Sequence, residues 1–387
     1  MRTISLAPAI LGLGTALPPH KVNQAEAATR LADALSEDRD ASRWARRIFN
    51  QCGVDTRYTC EPNLLEPAPR SMYLPGTPED KIPTTAERMG LYKQASVELG
   101  YMAAVRALID SALDADDITH LITVTCTGLF LPGLDAALIR GLGLSNDVER
   151  IPLQYLGCAA GLKAVCLARQ IADRQPRAHV LIVCVELCTL HIQPSSSKED
   201  LYAAAFFGDG ASACVVGGAE SRRGRDGVFE LGEHRSVLLP DSSDEMTWEI
   251  GNYGFSLYLS PRIPEWIGAY LPLEIKVLLK EEEWPELWAI HPGGRGIIDA
   301  VEKGMGLTSE QTRVSREVLR KVGNLSSATI IYVLQDMRRE LNASSARRSS
   351  GVAAAFGPGL TAELLKFHYV PGIMSSHSQP EDACYHV

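Results

Sequence analysis

Three side chains stand where chemistry would be done. Cys158 lies in Leu156-Gly157-Cys158-Ala159-Ala160-Gly161, where an apolar run ends, a glycine permits a tight turn and helix-forming residues begin. That order places a thiol at a helix N-terminus, whose partial positive charge favours thiolate, the form that attacks a thioester. Small neighbours leave room for an acyl group; the competing reading is a buried structural cysteine. His291 ends the apolar run Trp288-Ala289-Ile290 and precedes Pro292-Gly293-Gly294, glycines that let a ligand approach the backbone. A loop histidine held for structure is the other reading. Asn324, in Gly323-Asn324-Leu325-Ser326-Ser327-Ala328, is either a helix cap or an uncharged hydrogen-bond donor.

Taken together the three make one machine. His291 can pair with the Cys158 thiolate and later donate to a developing oxyanion. Asn324 supplies a second donor, and two donors on one thioester oxygen stabilise the enolate left when a carboxylated extender loses CO2. A carboxamide serves better than an acid because it does not repel the negative charge. The same residue types, in the same chain order, occur in papain-like hydrolases, so residue types alone leave acyl condensation and amide hydrolysis both open. On either reading a helix N-terminus and an imidazolium neighbour would hold the thiol below its ordinary value, with burial in an apolar cavity opposing both.

The elements that must position these residues alternate. Ala9–Leu13, His120–Val124, Ile151–Leu156, His179–Val185 and Ala211–Val216 are apolar strand-like runs. Between them Arg88–Leu113, Pro132–Gly141 and Ala159–Asp173 have helical periodicity. Repeated strand-then-helix units with apolar strands predict a buried sheet covered by helices on both faces. The charged, glycine-containing stretch 221–227 is a plausible boundary, giving halves over 1–225 and 226–387. In the second half, Val228–Leu239, Trp288–Ile290, Gly351–Phe356 and Leu364–Tyr369 read as strands. Ile297–Lys303, Ser309–Val322 and Ser327–Leu341 read as helices, and Pro371–Val387 as a loose polar tail.

Composition removes several classes. With 387 residues, 45% hydrophobic and 22% charged, the chain has the make-up of a globular protein of two domains or one duplicated unit. A net charge of −9 argues against a nucleic-acid partner, though not against a local basic patch for a phosphorylated small molecule. No apolar run reaches the roughly 18 residues of a membrane span, and the N-terminus reads as a first strand, not a signal peptide. Nine cysteines, mostly in apolar runs, with no CxxC pair or zinc-ligand spacing, fit thiols in a reducing cytoplasm and no metal site.

Four blocks carry a resemblance: Leu156-Gly157-Cys158, Trp288 to Gly294, Gly323 to Ala328, and Phe356-Gly357-Pro358-Gly359-Leu360. Their order and spacing resemble the type III polyketide synthases of the chalcone synthase superfamily over about Ile10 to Val370. Papain-like hydrolases have no counterpart of the last two blocks. The resemblance implies a thiolase-like α/β fold of five layers, αβαβα, in two pseudo-duplicated halves and a homodimer. It implies acyl-CoA and malonyl-CoA as substrates, no further cofactor, Cys158 as acyl-carrying nucleophile, and His291 and Asn324 as decarboxylation and oxyanion residues. It further implies Phe207 as a gate between CoA tunnel and cavity, with a second gate at Phe255 or Leu257. Arg47 matches a CoA-phosphate contact, although two neighbouring basic positions of the plant pattern are Trp44 and Gln51 here. Glu186 and Ser326 match a water-activating hydrogen-bond network whose third member, threonine in plant enzymes, is Cys126. Leu131 stands where the family projects a side chain into the partner's cavity, and Gly357 and Pro358 belong to a cyclisation-pocket loop that Ala355 precedes where many members have glycine.

The stretches Glu186 to His191 and Met246 to Gly251 are similar to bacterial synthases that extend fatty acyl-CoA into alkylpyrones and alkylresorcinols. Trp248 stands where the malonyl-primed tetrahydroxynaphthalene synthases favour tyrosine. A ketoacyl-ACP synthase III shares the fold and the Cys-His-Asn set, but would stop after one condensation. A non-catalytic thiolase-fold binding module would have no use for all three residues.

Overall fold

Residues 7–372, apart from 225 and 345, are described by the computed structural model. The first half runs β1 (Pro8–Ala16), β2 (His20–Asn23), α1 (Gln24–Ala34), α2 (Arg39–Gln51) and β3 (Thr56–Thr59). It continues through α3 (Thr85–Ser111), β4 (His120–Thr125), α4 (Leu134–Leu142), β5 (Glu149–Gln154), α5 (Ala160–Arg174), β6 (Val180–Leu187), α6 (Lys198–Phe206) and β7 (Asp209–Gly218). The second half begins with β8 (Val228–Leu238), a hairpin of β9 (Met246–Gly251) and β10 (Gly254–Leu259), and α7 (Ile263–Leu279). It ends with β11 (Leu287–Ile290), α8 (Arg295–Met305), α9 (Arg313–Val322), α10 (Thr329–Ala343), β12 (Ser349–Gly357) and β13 (Thr361–Val370). The tail from 373 onward lies outside the described residues.

Strand order shows the duplication. The first half is ordered β5-β4-β6-β7-β1 and the second β11-β12-β13-β8. In the first, β4 is parallel to β6, and β7 is antiparallel to β6 and to β1. In the second, β11 is parallel to β12, and β13 is antiparallel to β12 and to β8. Each half thus ends on its own first strand, and the two halves meet where Ala9 and Ile10 of β1 pair with Glu230 and Phe229 of β8.

Period-two alternation then sorts side chains into layers. Val180, Ile182 and Cys184 face a central cluster with α5 and α10, while Leu181, Val183 and Val185 face α3 and α4. In the second half Ala353 and Ala355 face the centre, and Val352 and Ala354 face α7 and α8. The outcome is helix, sheet, helix, sheet, helix, the thiolase-like fold in two pseudo-duplicated halves. Local signals start the elements where expected: Thr84 and Glu87 form a reciprocal capping box ahead of α3.

Three elements differ from the sequence pattern. β5 ends at Gln154, because Tyr155 takes a left-handed conformation (φ 64°) that stops the strand before Leu156. α9 starts at Arg313, four residues later than the periodicity suggests, since Thr308–Gln311 is spent in a side-chain-capped turn. α7 shows no polar–apolar contrast to detect: Pro264 stands in its first turn and Pro272 within it, and it is apolar on most sides.

Candidate active site

Parallel strands end at the same side of their sheet, and the site gathers there. Cys126 follows β4, Glu186 lies near the end of β6, and His291 follows β11 directly. Cys158 sits in a short 3-10 turn, Gly157–Ala159, that leads into α5; Ser326–Ala328 forms the same turn ahead of α10. The two turns are pseudo-equivalents. Gly157 has φ +57° and Ser326 φ +48°, so each half bends its chain the same way before its central helix. Gly157 has a second reason to lack a side chain: a Cβ would stand 2.4 Å from Cδ of Pro358.

Cys158, His291 and Asn324 are all buried and line one cavity of about 590 Å³, within the range of small-molecule sites. Its walls are mostly apolar and come from both halves: Phe207 from the first, Met246, Trp248 and Phe356 from the second. The Cys158 Sγ lies 4.0 Å from Oδ1 of Asn324. Asn324 is fixed by its neighbours: Oδ1 accepts from the Ser326 N–H at 2.8 Å and Nδ2 donates to the Gly293 carbonyl at 3.1 Å. One Nδ2 proton thereby remains for a ligand. Its backbone pairs in parallel with Phe207, through Asn324 N–H to Phe206 O at 2.9 Å and Gly208 N–H to Asn324 O at 3.0 Å.

The electrostatics reverse one expectation. Burial pushes the Cys158 thiol up to about 11, with Glu186 adding to the rise and the polar contacts with Ser326 and Asn324 opposing it. Burial pushes His291 down to about 3, and neither ring nitrogen has a hydrogen-bond partner among the described residues. The helix N-terminus does not win, because enclosure in an apolar cavity strips water from both groups. Burial thus pushes both groups toward their neutral forms.

Behind Cys158 a polar chain runs to a buried carboxylate. Cys126 Sγ lies 3.4 Å from Ser326 Oγ and 3.6 Å from each Glu186 oxygen. Glu186 also accepts from the Cys126 N–H at 3.1 Å, from Thr127 Oγ1 at 2.7 Å and from Ser327 Oγ. Burial raises its pKa, against these hydrogen bonds. Glu186, Cys126 and Ser326 are thus contiguous. Thr127 and Ser327, which complete the set, had no signal of their own beyond sitting beside residues already singled out.

The remaining sequence candidates divide. Pro358 lines the cavity and Gly357 adjoins it, packed so that a Cβ would meet the Leu156 carbonyl at 2.7 Å. Phe255 and Leu257 both reach the wall; Phe255 is sandwiched between His191 (4.1 Å) and Trp248 (4.7 Å). Arg47 and Leu131 are not part of this wall. Arg47 is exposed on α2, bonded to Gln51 and placed over the Trp44 ring at 5.5 Å. Trp44 itself lines the cavity, with Lys198 against its ring at 4.2 Å. Lys198 is a cation at the opening that the sequence pattern did not mark. Leu131 precedes a cis peptide bond to Pro132 and is 90% exposed.

A thiol, an imidazole and a carboxamide around one apolar cavity, on a duplicated α/β scaffold, define a class of acyl-transferring condensing enzymes. Residues 3–220 match the family described as chalcone and stilbene synthases, N-terminal domain, and residues 230–371 its C-terminal domain. The chain belongs to this family, the type III polyketide synthases, and is an acyltransferase. It is 34% identical to type III polyketide synthase 21 of Oryza sativa over 92% of each chain. It is 30% identical to the alpha-pyrone synthesis polyketide synthase-like Pks18 of Mycobacterium tuberculosis, covering 93% of this chain and 91% of that one. It is 29% identical to probable polyketide synthase 1 of Dictyostelium discoideum over 92% of this chain but only 11% of that much longer protein. Among solved structures, PKS-I of the brown alga Ectocarpus siliculosus superposes with TM-score 0.86 at 27% identity, covering 96% of this chain and all of that one.

Proposed function

We propose that this enzyme extends an acyl-CoA starter, of fatty acyl type, with malonyl-CoA and closes the product to a pyrone or resorcinol. The observation that carries it is the convergence of Cys158, His291 and Asn324 on one largely apolar cavity. A starter acyl group passes from CoA to Cys158 Sγ; the thiol proton leaves with the released CoA. His291 is unprotonated at rest, but burial also makes its ring a weak base, so it can relay that proton only in concert with its delivery to the departing CoA sulfur. Malonyl-CoA then loses CO2, and the enolate oxygen takes hydrogen bonds from the free Nδ2 proton of Asn324 and from His291. Phe207, nine-tenths buried in the wall, offers the malonyl carboxylate an apolar face that favours its departure as neutral CO2. The enolate carbon attacks the Cys158 thioester and the thiolate leaves; the resulting β-ketoacyl-CoA passes its chain back to Cys158 with release of CoA, and each further cycle adds two carbons.

A fatty acyl starter is supported by the apolar lining of the cavity, which includes Met246, Trp248, Ile263 and Ile267. The similarity to an alpha-pyrone synthesis protein supports the pyrone product. Cyclisation by aldol chemistry would draw on Glu186, Cys126 and Ser326. We place CoA phosphates near Arg47 and Lys198, Leu131 in a partner subunit of a homodimer, and the nucleophile and the His–Asn pair in separate halves, 1–225 and 226–387. No prosthetic group has a step to perform, and the setting is cytoplasmic. Among the described residues no helix is long and apolar enough to cross a membrane.

The test is mass spectrometry of products from purified enzyme given malonyl-CoA and acyl-CoAs of graded length. The expected result is pyrone or resorcinol masses whose yield rises with long starters. Tetrahydroxynaphthalene from malonyl-CoA alone would overturn the starter, and a single condensation product would overturn iteration. In parallel Cys158→Ala should abolish acyl-enzyme formation, checked by intact-protein mass; persistent acylation with full product yield would unseat the nucleophile.

A further inference from the structure

We infer that Arg57 is a positioning residue for decarboxylation: its buried guanidinium pins the Phe207 carbonyl and so fixes the short bridge that presents Asn324 to the cavity. The inference rests on the reading above that Asn324 stabilises the enolate.

Arg57 lies on β3, only 3% exposed, outside the cavity and behind its wall. Its Nη1 donates to the Phe207 carbonyl at 2.7 Å and its Nε to Gln24 Oε1 at 3.0 Å. Gln24, also buried, passes the tie onward by donating to the Ala205 carbonyl at 2.8 Å. One side chain from β3 therefore holds the end of α6 from Ala205 to Phe207. That is the segment whose backbone pairs with Asn324. The aliphatic stem works on the other strand of the bridge. Gly323, at φ +74°, comes so close that a Cβ there would stand 2.8 Å from the Phe206 carbonyl and 3.2 Å from Arg57 Cγ. Arg57 thus touches both sides of the pair, with its head on Phe207 and its stem under Gly323.

The choice of arginine needs a reason beyond filling space. Burying a guanidinium is costly unless it is paired. Both hydrogen bonds recorded for Arg57 go to neutral oxygens, and burial pulls its pKa down to about 10. Asp209 gives long-range compensation, but its carboxylate is already taken by the Cys60 N–H and by Thr189. A methionine would occupy the space beside Phe49 and Gly323 without that cost. Besides its place over the Phe49 ring at 5.8 Å, arginine adds a rigid fork long enough to reach a specific carbonyl. Freed of it, Phe207 and Asn324 can shift together, and a displacement of about 1 Å at a reacting group costs on the order of 10²-fold in rate.

The experiment measures two half-reactions separately in Arg57→Met, Arg57→Lys and Asn324→Ala. Starter loading is followed by intact-protein mass after mixing with an acyl-CoA alone; malonyl-CoA decarboxylation is followed by CO2 release. Arg57→Met should lose roughly 10–100-fold in decarboxylation while loading stays within about 3-fold, with the same sign of split as Asn324→Ala. Arg57→Lys, which keeps the charge and is the recourse if the Met variant does not fold, should lose less but split the same way. A merely structural role would depress both half-reactions together through the fraction of folded enzyme. Equal losses, or no loss, in the Arg57 variants while Asn324→Ala splits as expected would overturn this inference alone. Absence of a split in Asn324→Ala would overturn the decarboxylation reading, and this inference with it.

Discussion

Two neutral groups at rest is an unusual arrangement for a nucleophilic pair, and its consequence can be measured. A thiol pushed up to about 11 is mostly protonated at neutral pH, so alkylation of the empty enzyme should be slow there. Iodoacetamide inactivation should rise only above the pH at which a free thiol, near 8.5, would react. His291 contributes no charge at rest, so His291→Ala should leave that midpoint unmoved while lowering product formation. A wild-type midpoint below the free-thiol value, moved upward in His291→Ala, would show that thiolate–imidazolium attraction outweighs burial. The sign follows from desolvation alone: it disfavours the anion of cysteine and the cation of histidine, and so raises one pKa and lowers the other.

Two turns of the same shape, one per half, carry Cys158 and adjoin Asn324, the proposed nucleophile and oxyanion donor. Gly157 tolerates its left-handed conformation because it has no side chain and because Pro358 occupies the space a Cβ would need. Gly157→Ala should cost about 1–3 kcal/mol from backbone strain, before any displacement of Pro358. Calorimetry should show a lowered Tm, and acyl-enzyme formation should fall with it; an unchanged Tm would mean that the turn relaxes freely. The buried Glu186 ties the other turn to the segment after β4, accepting from Ser327 of the turn and from Thr127 and the Cys126 amide. Glu186→Gln brings an NH2 group to face donors, so a loss of about 1–3 kcal/mol is expected in urea unfolding. Equal stability of the variant would mean that the hydroxyls simply turn to accept.

At the scale of the molecule, the proposed dimer rests on an unusual surface. Leu131 is 90% exposed, and Leu129, Tyr155 and Leu156 are exposed at the same end of the neighbouring strands β4 and β5. Large apolar side chains exposed together at one end of the fold favour association. Leu131→Glu should shift sedimentation velocity from dimer toward monomer in a concentration-dependent way, while Cys158 remains able to form an acyl-enzyme. A dimer of undiminished affinity would remove Leu131 from the interface.

Much of this was legible in one dimension. Strand–Gly–Cys–helix and strand–His–Pro-Gly-Gly are local patterns, set by turn sterics and the apolar period, and they located Cys158, His291 and the alternating elements. Asn324 was already ambiguous there, because a cap and a donor use the same residue type. The tertiary structure shows that the two are compatible: Oδ1 caps the turn by accepting from the Ser326 N–H, two positions on, while Nδ2 is held by the Gly293 carbonyl, 31 positions away, and keeps one proton free. The duplicated strand order was equally hidden, since pairing across a sheet leaves no mark on either strand alone. So was Arg57, whose partners Gln24 and Phe207 lie 33 and 150 residues distant. Burial also pushes the Cys158 thiol in the direction opposite to the local expectation. A helix N-terminus can be read from neighbouring residues, but the water excluded from a cavity depends on every wall that closes it.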